Sequence, residues 1–557
     1  MTEGHQPSLF GLAILGKGMK VFTVAEMVAA EKAADAQGHG YAEMMERAGR
    51  ALAEAILARR DVHGRSVLVL VGPGNNGGDG LVAGRYLAEA GADVAFYLSR
   101  PRDPQTDVNL ARVQAMGWLT LEAGLDQRWR VLRARLRITD ILIDGLLGTG
   151  VSRPISGPLA DLMRQVQAGL AERRAVTAPD APLTTVMPLI WPAARPPAGG
   201  VWVAAVDCPS GLNCDTGELD ELAFPADLTV TFAGPKRGHF LEPGVWACGE
   251  LVAADIGIDP YLTAGISVEV ATAAGLAAWL PTRLPQGHKG SFGFALVAGG
   301  SAGYWGAPVL AARAVLRAGA GLAALAVPGA IRTLAALQLP EATFEPLPDE
   351  RDLGADSAEF LLFPPTRLQR YDAVLLGPGL GPNPDAFLAP LLAGRRLSSR
   401  LVVDADGLNY LARQVSWPQL LPAGTILTPH PGELARLLGE NTPGLDRIEL
   451  ARQKSAEWGH ILVLKGAHTL VAAPDGRCTL FPFANPALAT AGSGDVLAGT
   501  IVSLLAQGLD NYPAACLGVY LHALAGQAAA RPLGGAGLLA HEIADALPGA
   551  RQALAQA

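Results

Sequence analysis

The chain has 557 residues, beyond the roughly 250–300 at which a single hydrophobic core stops growing, so two domains are expected. Charged residues make up 17% and apolar ones 50%, with a mean hydropathy of +0.25, which excludes a disordered or collagen-like chain despite 66 Gly and 41 Pro. A net charge of −8 leaves no basic footprint for nucleic acid or a membrane surface, so small molecules are the expected partners.

From the N-terminus, Glu3 and His5 stand where a signal peptide carries basic residues, and the short run LFGLAIL has no small-residue cleavage site after it. A cytoplasmic protein is expected. The stretch GLAILGKG (11–18) matches a phosphate-binding loop only until Gly18, where Ser or Thr is needed for magnesium, and it is read as chance. Residues 1–18 are therefore expected to be an extension, with regular sequence from Met19. The cysteines Cys208, Cys214, Cys248, Cys478 and Cys516 form no CxxC pair and no even framework, which fits a reducing interior.

Helical patterns then alternate with short β-branched runs: SVLVLVG, DVAFYLS, DILIDGLLG, VWVAAVDCPSG, LTVTFAG and GELVAADIG. That alternation predicts an α/β fold with a Rossmann-like, doubly wound parallel sheet over residues 19–265. The proline-rich stretch 176–200 is expected to be a surface insert. The pattern resets near 260–272 and a second α/β series fills 266–557: FALVAGG, AALAVPG, YDAVLLGPGLG, LVVDADGL, GTILTPHPGE and HILVLKGAHT. The apolar run NYPAACLGVYLHALAGQAAA contains Pro513, His522 and Gln527 and is expected to be a buried helix instead of a membrane span.

In the first series GPGNNG satisfies GxGxxG between a strand and a helix, but the next strand ends in Ser99 and Arg100, without the acid that would hold a ribose. The turn instead carries Asn75, Asn76 and Asp79. Two further strand ends supply polar groups at the same edge: Asp144 with the Gly148–Gly150 turn, and Asp207 with Ser210. An aspartate after a strand more often caps than catalyses, yet three such ends of one sheet make a site. Oxygens of Asn76, Asp144 and Ser210 suit a hard, weakly held cation, leaving Asp207 for proton transfer.

These motifs, GPGNNGGDG, DGLLGTG and VDCPSG, resemble the epimerase half of the bifunctional NAD(P)H-hydrate repair enzymes over residues 20–260, with 176–200 as a departure. The resemblance implies substrate contacts (NADHX and NADPHX) from Asn75, Asn76, Gly77, Gly78, Asp79 and Asp207, and from Gly148, Thr149, Gly150, Val151, Ser152, Arg153 and Pro154. It also implies potassium held by Asn76, Asp144 and Ser210, and acid/base work by Asp207.

In the second series ATAGSGDVLAG sets the amides of Gly492–Gly494 at a helix start, positioned for an anion, with Asp495 beside them to take a proton from an attacking hydroxyl. That arrangement resembles ribokinase-like kinases. His288 and Lys289 form a basic pair before a strand, Lys465 ends a strand and suits nucleotide phosphates, and TPHPGE offers His430 and Glu433. Together GPGLG, DADGL, TPHPGE, KGAHT and GSGD resemble the NAD(P)H-hydrate dehydratase half of the same enzymes over about 272–550. The resemblance implies a ribokinase-like fold, substrate contacts at Ala307, Gly379, His430 and Asp495, and nucleotide contacts at Lys465, Gly466, Ala467, His468, Thr469 and Gly494. ADP or ATP with magnesium would be the co-substrate, Asp495 the general base, and a homo-oligomer the expected assembly. Two alternatives stay open: a ribokinase-like small-molecule kinase fused to a Rossmann-like binding domain, and a scaffold role for the first half, against which Asn76, Asp144 and Asp207 together argue.

Overall fold

A computed structural model describes residues 18–177, 200–439, 446–533 and 535–556. The phosphate-loop look-alike up to Lys17, the rest of the expected extension before it, and 178–199 of the expected insert lie outside the described residues. The chain divides into two compact units: a first of Lys20–Ile266, and a second of the residues from Ser267 onward, to which Met19 also belongs.

In the first unit seven strands, β1 (Ser66–Val71), β2 (Asp93–Leu98), β3 (Leu119–Glu122), β4 (Ile141–Gly145), β5 (Trp202–Val206), β6 (Leu228–Phe232) and β7 (Glu250–Ala254), lie in the order β3-β2-β1-β4-β5-β6-β7. Every pairing is parallel. Side chains alternate strictly between two buried faces. Val67, Val69 and Val71 pack with Leu52, Ile56 and Leu81 from helices Tyr41–Leu57 and Asn75–Glu89, whereas Leu68 and Leu70 pack with Leu136, Met163 and Val166 from helices Arg130–Ile138 and Gly157–Thr177. This is the doubly wound sheet expected from the alternation. The chain moves outward from β1 through β2 to β3 and then returns to β4, so a crevice opens at the carboxyl ends of β1 and β4.

The second unit carries β8 (Val268–Val270), β9 (Phe294–Ala298), β10 (Leu322–Ala326), β11 (Thr343–Phe344), β12 (Ala373–Leu376), β13 (Leu401–Val403), β14 (Ile426–Leu427), β15 (Ile461–Leu464), β16 (Leu470–Ala472) and β17 (Cys478–Leu480). They run β8-β17-β16-β15-β14-β13-β12-β9-β10-β11 across the sheet. Pairings from β11 to β15 are parallel, as the βα alternation requires. The β15–β16 and β16–β17 pairs are antiparallel, so residues 465–469 form the turn of a hairpin at the sheet's carboxyl edge. One helix, Ser493–Ala506, is buried at every residue from Val496 onward, and helix Asn511–Ala530 packs beside it. No described helix is long and apolar enough to cross a membrane.

Candidate active sites

The glycines of the first unit's turn are fixed by close approach. A Cβ on Gly72 would run into the Leu146 carbonyl, and one on Gly77 into the Gly72 carbonyl, so the chain after β1 lies against the chain after β4. Arg102 braces the turn, donating from Nη1 to Gly72 O (2.6 Å) and Gly74 O (3.1 Å) while Nε binds Asp107 (2.5 Å). A cleft of about 900 Å³, lined in part by Tyr41, Met45, Pro73, Arg102 and Asp107, opens beside it. Helix Asn75–Glu89 starts directly from the turn with no side-chain cap. Asn75 is exposed, Asn76 half-buried, and Gly77, Gly78 and Asp79 are buried.

Asn76 ties three strand ends together. Its Nδ2 donates to Leu147 O (2.8 Å) and Val206 O (2.7 Å), so both amide hydrogens are spent and Oδ1 is left to accept, facing Gly148. Asp144 is buried and accepts from Ser210 Oγ (2.6 Å) and Ser210 N (2.8 Å), and Leu147 N in turn donates to Ser210 Oγ (2.9 Å). Burial pushes the Asp144 carboxyl up to about 6. The fold thus brings Asn76, Asp144 and Ser210 together as an all-oxygen set, and a cation beside Asp144 would relieve the cost of ionising it. That chemistry fits a hard monovalent ion. No cluster of three or more His, Cys, Asp or Glu among the described residues is placed to hold a metal. Gly148, Thr149 and Val151 are half-buried, while Gly150, Ser152, Arg153 and Pro154 are exposed at the rim of the same edge.

Asp207 follows β5 with φ +63°, a left-handed backbone uncommon outside glycine, which turns its carboxyl back toward β6. There Oδ1 accepts from Thr231 Oγ1 (2.9 Å), from Phe232 N (3.0 Å) and from Lys236 Nζ. Lys236 is fully buried and also reaches Thr231 Oγ1 (2.9 Å) and Phe232 O (3.2 Å). Burial alone would raise the Asp207 carboxyl, but the Lys236 charge and these hydrogen bonds hold it below its ordinary value. Burial raises the Asp79 carboxyl well above its ordinary value, with Asp207 and Glu31 adding to the effect and Lys236 opposing it. Lys236, Thr231 and Glu31 were not singled out by the sequence. Lys236 had a signal, since FAGPKRGH places it just beyond another strand end.

In the second unit Gly492 (φ +87°) turns the chain left-handed into helix Ser493–Ala506, leaving the first amides of that helix without a side-chain cap. Asp495 sits in this first turn. Burial, with the Asp404 charge adding to it and Lys465 opposing, pushes its carboxyl up to about 7. No described side chain or amide hydrogen-bonds that carboxyl. Lys465 Nζ lies 2.9 Å from Asp404 Oδ1 and 3.6 Å from Glu433 Oε2, and a Cβ on Gly494 would lie 3.5 Å from it. Asp404 also accepts from Thr428 Oγ1 (2.7 Å). His430 caps helix Pro431–Leu438 through Nδ1, and Glu433 Oε2 accepts from His430 N (2.8 Å), so these two act first as a capping box.

Gly379 (φ +67°) is forced by crowding, because a Cβ there would meet Tyr304 O at 2.6 Å and Ala307 Cβ at 3.2 Å. Gly379 and Ala307 are therefore neighbours, next to a cleft of about 660 Å³ lined by Tyr304, Gly381, Asp406 and Arg436 among others. Arg447 braces the 465–469 turn, donating to Ala467 O (3.0 Å) and Lys465 O (3.4 Å), and Thr469 Oγ1 closes it onto Gly466 O (2.9 Å). Gly466 is exposed and His468 half-buried, its imidazole lowered by burial and by Arg447. His288 and Lys289 are exposed. Asp404 is the residue sequence reasoning passed over, although the motif DADGL that carries it was seen.

Residues 41–238 match the family described as YjeF-related protein N-terminus, and residues 295–549 the family described as NAD(P)H-hydrate dehydratase. The bifunctional NAD(P)H-hydrate repair enzyme of Moorella thermoacetica is 39% identical over 516 residues, covering 91% of this chain and 91% of its own length. Its counterpart in Thermofilum pendens is 34% identical, covering 96% of this chain and 97% of its own. Among solved structures, the ADP/ATP-dependent NAD(P)H-hydrate dehydratase from Bacillus subtilis, co-crystallised with ATP and Mg2+, is 32% identical and covers 51% of this chain and 98% of its own, with a TM-score of 0.44.

Proposed function

The chain belongs to the bifunctional NAD(P)H-hydrate repair enzymes, and from that premise we propose that its first unit interconverts the R and S hydrates of NADH and NADPH while its second dehydrates the S form. What carries the reading is one strand-edge carboxyl in each unit: the buried Asp207 after β5, and the half-buried Asp495 at an uncapped helix start.

In the first unit Asp207 moves the proton at the hydroxyl-bearing carbon. Asn75–Asp79 and Gly148–Pro154 form the two walls that hold the ring against it. Asn76 Oδ1, Asp144 and Ser210 would hold potassium, which supplies positive charge to Asp144.

In the second unit hydroxide is a poor leaving group from the carbon beside the ring nitrogen. Asp495 takes the hydroxyl proton as that oxygen attacks the terminal phosphoryl group of ADP or ATP, and the nucleotide leaves. In the Gly492–Gly494 turn the amides of Gly492 and Gly494 receive the phosphoryl oxygens, Ser493 N being held by Thr490 O (3.3 Å). The ring nitrogen's lone pair then expels phosphate, and loss of a proton from the adjacent carbon restores the dihydronicotinamide. Lys465–Thr469 and Gly494 contact the nucleotide, and Ala307, Gly379 and His430 contact the hydrate. Magnesium would accompany the nucleotide and offset its phosphate charge.

The test is direct: supply mixed R and S hydrates of NADH with and without ADP or ATP, and follow both epimers. Nucleotide should lead to loss of both and to NADH. Accumulation of a stable phosphorylated product would instead make the second unit an ordinary kinase, and persistence of the R form would remove the epimerase.

A further inference from the structure

Two carboxyls of the first unit are buried within reach of each other's charge and treated in opposite ways. Three donors, Thr231 Oγ1, Phe232 N and Lys236 Nζ, all converge on Oδ1 of Asp207, and no described group bonds its Oδ2. The clamp fixes one oxygen and leaves the other to react. Asp79 is also buried, 6% exposed, yet no described donor reaches its carboxyl at all. It stands on the fifth residue of helix Asn75–Glu89, and the charged groups that act on it are Asp207, Glu31 of helix Val24–Ala36, and Lys236. Lys236 is already bound to Asp207. A buried carboxylate with neither a hydrogen bond nor its own counter-charge is costly, so Asp79 keeps its proton.

We propose that these carboxyls divide the epimerisation between them, Asp207 as base through Oδ2 with Lys236 as its positioning residue, and Asp79 as the acid. This rests on the epimerase reading of the unit. Two neighbouring titratable groups set to opposite protonation states are what opening and closing the ring requires. Asp207 Oδ2 takes the substrate's hydroxyl proton, the C–O bond becomes C=O, and the adjacent C–N bond breaks with its electron pair going to nitrogen. Asp79 delivers its proton to that nitrogen. Closure onto the other face of the carbonyl runs both transfers in reverse, so neither carboxyl is consumed and no oxidant is needed.

The experiment measures R-to-S conversion against pH in the full-length protein without nucleotide, for the parent, Asp79→Asn, Lys236→Met and Asp207→Asn. Asp79→Asn keeps the shape of a neutral carboxyl and should fold. It should lose about 100-fold or more in rate and lose the alkaline limb of the parent's profile. Lys236→Met should move the acid limb to higher pH with KM little changed, because Asp207 loses the charge that keeps it ionised; a merely structural lysine would lower the amount of folded protein without moving that limb. Near-parental conversion by Asp79→Asn, or an acid limb unmoved in folded Lys236→Met, would overturn the proposal. If Lys236→Met does not fold, the Asp79→Asn rate and the parent's alkaline limb decide it. Unchanged conversion by Asp207→Asn would instead remove the underlying acid/base reading.

Discussion

Each unit sets a carboxyl and a lysine out of full contact with solvent at the edge of its sheet, and the two allot the lysine differently. In the first, Lys236 binds Asp207 itself and holds that carboxyl ionised. In the second, Lys465 is taken by Asp404 and Glu433, and Asp495 is left without a hydrogen-bonded partner and pushed up to about 7. Burial acts in the same direction on both. The placement of one ammonium therefore decides whether a buried carboxyl is a standing base or one that titrates near neutrality.

The sharpest way to break this comparison is to remove the second carboxyl alone. Asp495→Ala should lower nucleotide-dependent dehydration about 100- to 10,000-fold while R-to-S conversion by the same protein continues. Epimer-resolved chromatography would check both activities in one sample. Parallel loss of epimerisation would mean that the two sites do not work independently, and near-normal dehydration would hand the proton to another group.

A smaller effect sharpens the first unit's side. If Asn76, Asp144 and Ser210 hold potassium, R-to-S conversion should fall about tenfold or more when potassium is replaced by a large organic cation, with Asn76→Ala insensitive to the exchange. Dehydration of pure S hydrate gives the internal comparison. Equal epimerisation in both salts would return Asn76 to bracing Leu147 O and Val206 O, which it does in any case.

How much of this was legible in the chain follows from how local each cause is. The parallel sheets, the glycine turns and the strand-end aspartates at 144 and 207 are written in contiguous residues, and alternation plus turn chemistry reveals them. Lys236 was missed because its partner lies 29 positions away and buried lysines are rare enough that the default reading is a solvated one. Asp404 was passed over for a similar reason: only the sheet order β13-β14-β15, which puts the two strand ends one strand apart, brings it to Lys465, 61 positions on. The antiparallel end of the second sheet was hidden by strands of three residues, too short for a periodic signal, although APDG between β16 and β17 has the composition of a hairpin turn.

The same asymmetry sets how each activity answers to pH. Dehydration needs Asp495 ionised, so with its carboxyl at about 7 the rate should climb roughly tenfold between pH 6 and 8 and then level off. Asp207, held low by Lys236, gives epimerisation no such rise in that interval. Initial rates at fixed saturation with each hydrate would separate the two curves. Coincident profiles would mean that the lysines do not distinguish the carboxyls.

The smallest effect is on stability. A carboxyl whose folded value lies above its unfolded one favours the native state only while protonated, so Asp495 costs stability progressively as pH rises from about 4 through about 7. Linkage caps the cost at about 4 kcal/mol for a shift of this size, and sharing of charge with Lys465 lowers it. Asp495→Asn keeps the shape and removes the charge. Its melting temperature should match the parent's near pH 4 and exceed it at pH 8 by several degrees, at roughly 2–4 °C per kcal/mol for a domain of this size. The mirror case, Asp207→Asn, should lose stability at pH 8, because it leaves the Lys236 ammonium buried without its counter-charge. Opposite signs from these two aspartates in one protein, read by calorimetry at pH 8, are what the allotment of the two lysines requires; equal signs would mean that desolvation alone governs both.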